Sequence, residues 1–194
     1  MHTRDLPFIY ITGGCRSGKS AYAQRLAEEL SSGCLYLATA IPQDDAMRER
    51  IRLHREARGE VWRTYEAPAS DNDALLAALQ RLCRPGETLL FDCLTLWAAG
   101  HMRGEQAPSD FGARCDELLQ GLWQLPCPVI IVSNEVGMGV VPVSAAGRNF
   151  RDMAGLAGQK AAAAATFAVF MVSGLPLVLK GTVPKICSDP EYCI

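Results

Sequence analysis

The stretch Phe8-Ile9-Tyr10-Ile11-Thr12-Gly13-Gly14-Cys15-Arg16-Ser17-Gly18-Lys19-Ser20 decides how the rest of the chain is read. Its first residues are all β-branched or aromatic and read as a buried strand. The strand runs into Gly13-x-x-x-x-Gly18-Lys19-Ser20, the complete spacing of a phosphate-binding P-loop. Behind it, Ala21, Ala23, Leu26, Ala27 and Leu30 mark the apolar stripe of a helix spanning 19–30. The chemistry needs these residue types. Glycines let the backbone wrap until its N–H groups point at phosphate oxygens, and the helix N-terminus adds a favourable dipole. Lys19 is placed to reach the β- and γ-phosphates, and Ser20 to ligate magnesium. A glycine-rich turn that happens to fit is the alternative, and the strand in front and helix behind argue against it.

Outward from this point, short apolar runs alternate with helix-length segments, the pattern of βαβ units feeding a mostly parallel sheet with helices on both faces. Strands are expected at 8–12, 34–39, 88–92, 129–133 and 167–172, with a weaker one at 61–65 and an edge strand at 177–180. They lack polar alternation, as strands covered on both faces do. Helices are expected at 45–57, 71–81, 110–122 and about 148–166, with Asp71 and Asp110 as caps. Residues 100–109 read as the most mobile loop. One α/β domain over 1–181 and an irregular tail over 182–194 follow.

Asp92 ends the run Thr88-Leu-Leu-Phe-Asp at the carboxyl end of a strand, where α/β ligands collect. It is a candidate to hold magnesium through water, the other reading being a helix-cap carboxylate. Ser133-Asn-Glu-Val-Gly-Met-Gly139 stands at the end of another strand and reads either as a ligand loop or as a tight turn.

A net charge of −2 and no run of Lys or Arg longer than two leave no footprint for nucleic acid. The eight cysteines show no Cys-x-x-Cys pair, which speaks against a zinc ribbon or a disulfide framework and for reduced, mostly buried thiols. Cys15, inside the cradle, is expected to be buried. Residues 1–7 are polar and no apolar run nears the ~20 residues of a membrane span. A cytoplasmic protein is expected.

Of the three histidines, His2 and His101 have no chemical neighbours in sequence. His54 lies in Arg50-Ile-Arg-Leu-His54-Arg55-Glu56-Ala57-Arg58, where helical spacing puts Arg50, His54 and Arg58 on one face. Two readings stand level on these residues: a solvated basic face, or a phosphate-binding strip whose neutral imidazole attacks phosphorus.

Several blocks run in order through the chain: the P-loop, Tyr36-Leu-Ala-Thr39-Ala40, His54-Arg-x-x-Arg58, Trp62-Arg-Thr-x-Glu66, Asp92-Cys-Leu-Thr-Leu-Trp97, Ser133-Asn-Glu-Val-Gly-Met-Gly139 and Arg148-x-Phe-Arg-Asp-x-Ala-Gly155. Together they resemble the bifunctional adenosylcobinamide kinase / adenosylcobinamide-phosphate guanylyltransferase family of cobalamin biosynthesis, over about residues 8–180. The resemblance implies a RecA-like P-loop fold, a homotrimer, magnesium as cofactor, and ATP and GTP as substrates. It implies phosphorylation of adenosylcobinamide, then transfer of GMP from GTP through His54 to adenosylcobinamide phosphate. It also implies a guanine-nucleotide site lined by Thr39, Ala40, Ile41, Arg55, Glu56, Ala57, Arg58, Glu66 and Asp92. Without the family, Glu66 would read as a surface carboxylate. Two other functions compete: a P-loop small-molecule kinase with no covalent intermediate, and a nucleotide-switched binding protein.

The chain departs from the family pattern at Gly158-Gln159, where relatives carry Asn-Gln, and at Thr166, where they carry Asp. A mid-helix glycine costs roughly 1 kcal/mol against alanine, so the last helix is expected to bend or end early there.

Overall fold

A computed structural model describes residues 5–39, 59–67 and 71–182. The elements follow in chain order as β1 (Phe8–Gly13), α1 (Lys19–Leu30), β2 (Gly33–Ala38), β3 (Trp62–Glu66), α2 (Asn72–Leu82) and β4 (Glu87–Asp92). Next come α3 (Leu94–Gly100), α4 (Phe111–Trp123), β5 (Val129–Asn134), α5 (Ala145–Ala164), β6 (Phe167–Val172) and β7 (Leu175–Lys180). The expected helix over 45–57 lies outside the described residues. The strands form one seven-stranded sheet in the order β3-β2-β4-β5-β1-β6-β7. All neighbours are parallel except β6 and β7, which pair antiparallel.

Burial on both faces explains the unbroken apolar character of the strands. Ile9, Ile11, Tyr36, Leu90, Ile130 and Val132 pack on one face with Tyr22, Ala23, Leu26 and Ala27 of α1. Their alternate neighbours Phe8, Tyr10, Leu37, Phe91, Val129 and Ile131 pack on the other face with α2, α3, α4 and α5. Leu26 is 1% exposed, and burying such a leucine contributes about 1.5–3 kcal/mol. That is the anchor holding α1, and with it the P-loop, against the sheet.

Two expectations change. Leu94–Gly100 is a helix rather than a connection, and its Trp97 is fully buried. Trp97 Nε1 donates to Asn72 Oδ1 at 3.1 Å, tying α3 to α2. His101, far from isolated, is buried between Trp97 and Phe111, with Nδ1 2.9 Å from Trp97 O. The 100–109 segment folds into a turn closed by reciprocal Arg103 and Gln106 backbone bonds of 3.0 and 3.2 Å.

The last helix also differs from expectation. It neither bends nor ends at Gly158 but runs unbroken from Ala145 to Ala164. It starts earlier than expected because Ser144 caps it, accepting from Gly147 N at 3.1 Å. Gly158 has a packing cause: a Cβ there would sit 2.8 Å from Tyr10 Oη. Thr166 lies beyond the helix and clamps the entry to β6, accepting from Phe8 N and donating to Phe8 O, both at 3.0 Å. Asp71 caps α2 through Ala74 N. Asp110 instead pairs with Arg114 at 2.9 Å and caps nothing with its side chain.

Candidate active site

The site grows from the end of β1. Gly13 is the last strand residue, paired to Asn134 of β5 on one side and Met171 of β6 on the other. The chain then leaves the sheet through Gly14, Cys15, Arg16 and Ser17, and Ser17 N donates to Gly14 O at 3.3 Å. Arg16 takes φ 57° and Gly18 φ 90°, so the loop curls through two left-handed positions before α1 begins. No side chain caps α1, which leaves the N–H groups of Lys19 and Ser20 facing the cradle. Lys19 is buried and its Nζ donates to Gly14 O at 3.2 Å, so the ammonium is folded over the loop. The Ser17 hydroxyl is buried with no hydrogen-bond partner among the described residues.

The turn between β6 and β7 buttresses this loop. Ser173 and Gly174 both take positive φ, at 52° and 84°, the signature of a tight hairpin turn. Gly174 N donates to Ser17 O at 3.0 Å, and a Cβ on Gly18 would lie 3.3 Å from Gly174 Cα. The sequence reading missed this support, although Ser-Gly between two apolar runs was a legible signal for it. Cys15 is exposed, not buried as expected. Of the six described cysteines it is the exception, since the other five are buried. Burial pushes the thiols of Cys34 to about 11 and of Cys93 and Cys115 to about 12, so they stay protonated and inert.

Asp92 stands at the carboxyl end of β4, half-buried, with β5 between it and the P-loop strand. Its register row is Glu66, Ala38, Asp92, Val132 and Ile11. At about 4.8 Å per strand, Asp92 lies roughly 10 Å of backbone from both β1 and β3. Ser20 and Asp92 offer the hard oxygen donors that magnesium takes, and no cluster of three His, Cys, Asp or Glu that could cage a metal occurs among the described residues. That fits a magnesium held largely by nucleotide and water. Thr39 is buried, and its hydroxyl is committed to Cys93, accepting from its N–H at 3.0 Å and donating to its carbonyl at 2.9 Å. Glu66 is exposed at the end of β3. Ala40, Ile41, His54, Arg55, Glu56, Ala57 and Arg58 lie outside the described residues.

The loop after β5 is stitched to the cradle. Glu135 N donates to Gly13 O at 2.9 Å, and the Glu135 carboxylate accepts from Gly137 N at 2.5 Å and Met138 N at 3.2 Å. Beneath it the Thr95 hydroxyl accepts from Asn134 N at 2.6 Å and meets the Ser133 hydroxyl at 2.9 Å.

A strand-cradle-helix unit with an acidic strand end one strand removed defines a P-loop nucleotide-binding protein of the RecA-like type. Solved structures agree on the fold. The RadB recombinase matches with TM-score 0.56 at 15% identity, over 91% of this chain and 83% of its own. An ATPase from the type III secretion system of pathogenic bacteria matches with TM-score 0.56 at 13% identity, over 96% of this chain and 60% of its own. Sequence comparison is narrower. The model of cobinamide kinase / cobinamide phosphate guanyltransferase matches residues 9–179. Among curated relatives, the bifunctional adenosylcobalamin biosynthesis protein CobP of Pseudomonas aeruginosa is 42% identical over 92% of this chain and 98% of its own length. The bifunctional adenosylcobalamin biosynthesis protein CobU of Escherichia coli is 36% identical over 89% of this chain and 99% of its own. The chain belongs to the cobinamide kinase / cobinamide phosphate guanyltransferase family.

Proposed function

We propose that this chain phosphorylates the aminopropanol hydroxyl of adenosylcobinamide with ATP or GTP, and then transfers GMP from GTP to the resulting phosphate. The observation that carries the reading is the open cradle of Gly13 to Ser20, with Lys19 poised over it and Asp92 at the end of β4, across β5 from the cradle strand. In the first step the acceptor oxygen bonds to the γ-phosphorus, the bond to the bridging oxygen breaks, and the nucleoside diphosphate leaves. Cradle amides and Lys19 neutralise the charge on the transferring group. Magnesium, when bound by Ser20 and Asp92, supplies further neutralisation.

The second step runs through His54. Its neutral imidazole nitrogen bonds to the α-phosphorus of GTP as the bond to the β-phosphate oxygen breaks, releasing pyrophosphate. A phosphate oxygen of adenosylcobinamide phosphate then displaces the imidazole, giving adenosylcobinamide-GDP. Splitting the transfer in two gives each half a good leaving group. Arg55 and Arg58 stabilise the phosphoryl oxygens, and Ala40, Ile41, Glu56, Ala57 and Glu66 complete the guanine-nucleotide site. The protein acts as a cytoplasmic homotrimer. No helix among the described residues is long and apolar enough to cross a membrane.

Incubation with α-labelled GTP followed by denaturing electrophoresis tests the covalent step. An acid-labile, alkali-stable label that disappears in His54→Ala is expected. Adenosylcobinamide-GDP formation by an unlabelled enzyme, or undiminished by His54→Ala, rules the intermediate out.

A further inference from the structure

On the sheet face away from α1, the carboxyl ends of β1 and β5 open onto a cavity of about 320 Å³. The phosphate cradle leaves it unused. Its floor is Tyr10 and Thr12 of β1, only 5% and 7% exposed. One wall is Asn134 at the end of β5 with Glu135 just beyond it, and the opposite wall is α5 at Gly155 and Gly158. We infer that this cavity is the acceptor subsite, which receives a neutral hydroxyl- or amide-bearing arm of the acceptor through the Tyr10 phenol and selects against anions. The inference rests on the reading of the chain as an acceptor kinase.

Position is the first support. Thr12 lines the cavity and the next residue, Gly13, opens the cradle, while Glu135 N bonds Gly13 O at 2.9 Å. Cavity and cradle therefore share one stretch of backbone at the carboxyl edge of the sheet, where α/β ligands converge. Space is the second. Gly155 and Gly158 fall three residues apart, on one helix face, in the interior of α5, where each glycine weakens the helix relative to alanine. A Cβ on Gly158 would meet Tyr10 Oη at 2.8 Å, so the glycine preserves both the phenol and the room above it. At this volume the cavity takes a side arm, not a macrocycle.

Polarity is the third support. Burial pushes the Tyr10 phenol up from its ordinary range, against the opposing pull of the Thr12 and Ser133 side chains, so it remains a neutral donor. Ser133 is held in turn by Thr95, which also accepts from Asn134 N. The Ser133 and Thr95 hydroxyls are thus fixed before any ligand arrives, which lowers the ordering cost of binding. Charge is the fourth. Among the described residues Glu135 is the one charged side chain lining the cavity, and the N–H groups of Gly137 and Met138 pin its carboxylate. A hydroxyl or amide is accepted beside it, whereas a newly formed phosphate is repelled. The phosphorylated arm accordingly leaves, as a second transfer to it requires.

The test uses full-length chain with magnesium, ATP and adenosylcobinamide, and compares wild type with Tyr10→Phe, Gly158→Ala and the double variant. Tyr10→Phe should raise the acceptor KM about tenfold through loss of one buried hydrogen bond, with nucleotide Kd within about twofold of wild type. Gly158→Ala should raise the acceptor KM and lower Tm. Adding Tyr10→Phe removes the oxygen that the new methyl meets, so the double variant should recover Tm while its KM stays high. A wild-type acceptor KM in Tyr10→Phe and in the double variant overturns the subsite alone. Acceptor-independent turnover by wild type overturns the subsite together with the kinase reading.

Discussion

Gly13 and Gly14 are neighbours, yet the structure assigns them opposite sensitivities, and alanine at each separates fold from function. A Cβ on Gly13 would lie 2.5 Å from Met171 O and 2.7 Å from Ser17 Oγ. The serine oxygen can rotate away, but the carbonyl belongs to β6 and is fixed by the β1–β6 ladder. Restoring ordinary contact requires β1 and β6 to part by roughly 0.7 Å, in an interior as dense as an organic crystal. Overpacking of this kind costs about 1–3 kcal/mol. For a chain of this size that lowers Tm by roughly 3–9 °C. Because Gly13 O also anchors Glu135 N and Gly13 starts the loop, nucleotide affinity should fall as well. A Cβ on Gly14 meets nothing within 4 Å, and Gly14 is part of the phosphate loop itself. Gly14→Ala should therefore keep the wild-type Tm and lose nucleotide affinity about tenfold or more, through exclusion of a phosphate oxygen from the loop amides. Thermal unfolding without nucleotide and titration with a fluorescent GTP analogue give the two readouts. A Gly13→Ala protein with wild-type Tm, or a Gly14→Ala protein with wild-type affinity, refutes the reasoning.

Burial holds the His101 imidazole below its ordinary 6.5, against the opposing pull of the Trp97 carbonyl, with Arg114, Asp110 and Glu117 nearby. The unfolded chain therefore binds a proton that the folded chain refuses. Stability is undiminished above pH 6.5 and falls as the pH drops through that value to the folded pKa, by linkage. Urea midpoints at pH 7.5 and pH 5.5 check this: His101→Gln should show a smaller loss on acidification than wild type, and an equal loss contradicts it. Trp97→Phe leaves Asn72 Oδ1 without its donor while Asn72 Nδ2 stays bonded to Arg114 O and Glu117 Oε2. A buried acceptor left unpaired costs about 1–3 kcal/mol, which urea unfolding should register with m unchanged.

What was legible in the sequence was local, and what was not depends on distant residues meeting. The strand at 8–12 and the helix at 19–30 announce themselves through residue type and period, so the cradle is legible from the sequence alone. Leu94–Gly100 is not, because it is a short helix that starts two residues after a strand with no side-chain cap, and its partner Asn72 sits over twenty positions away. Gly158 shows the same limit from the opposite side. By propensity it is a flaw in a helix; only Tyr10, almost 150 residues earlier, turns it into a fitted space. Gly174 likewise acquires meaning only when the β6–β7 turn reaches Ser17. Gly158, Thr166 and Gly174 thus close the last third of the chain around β1 and the loop that follows it, through Tyr10, Phe8 and Ser17. A phosphate-transfer site needs that closure, since the loop amides stabilise charge only if held in place before the nucleotide binds.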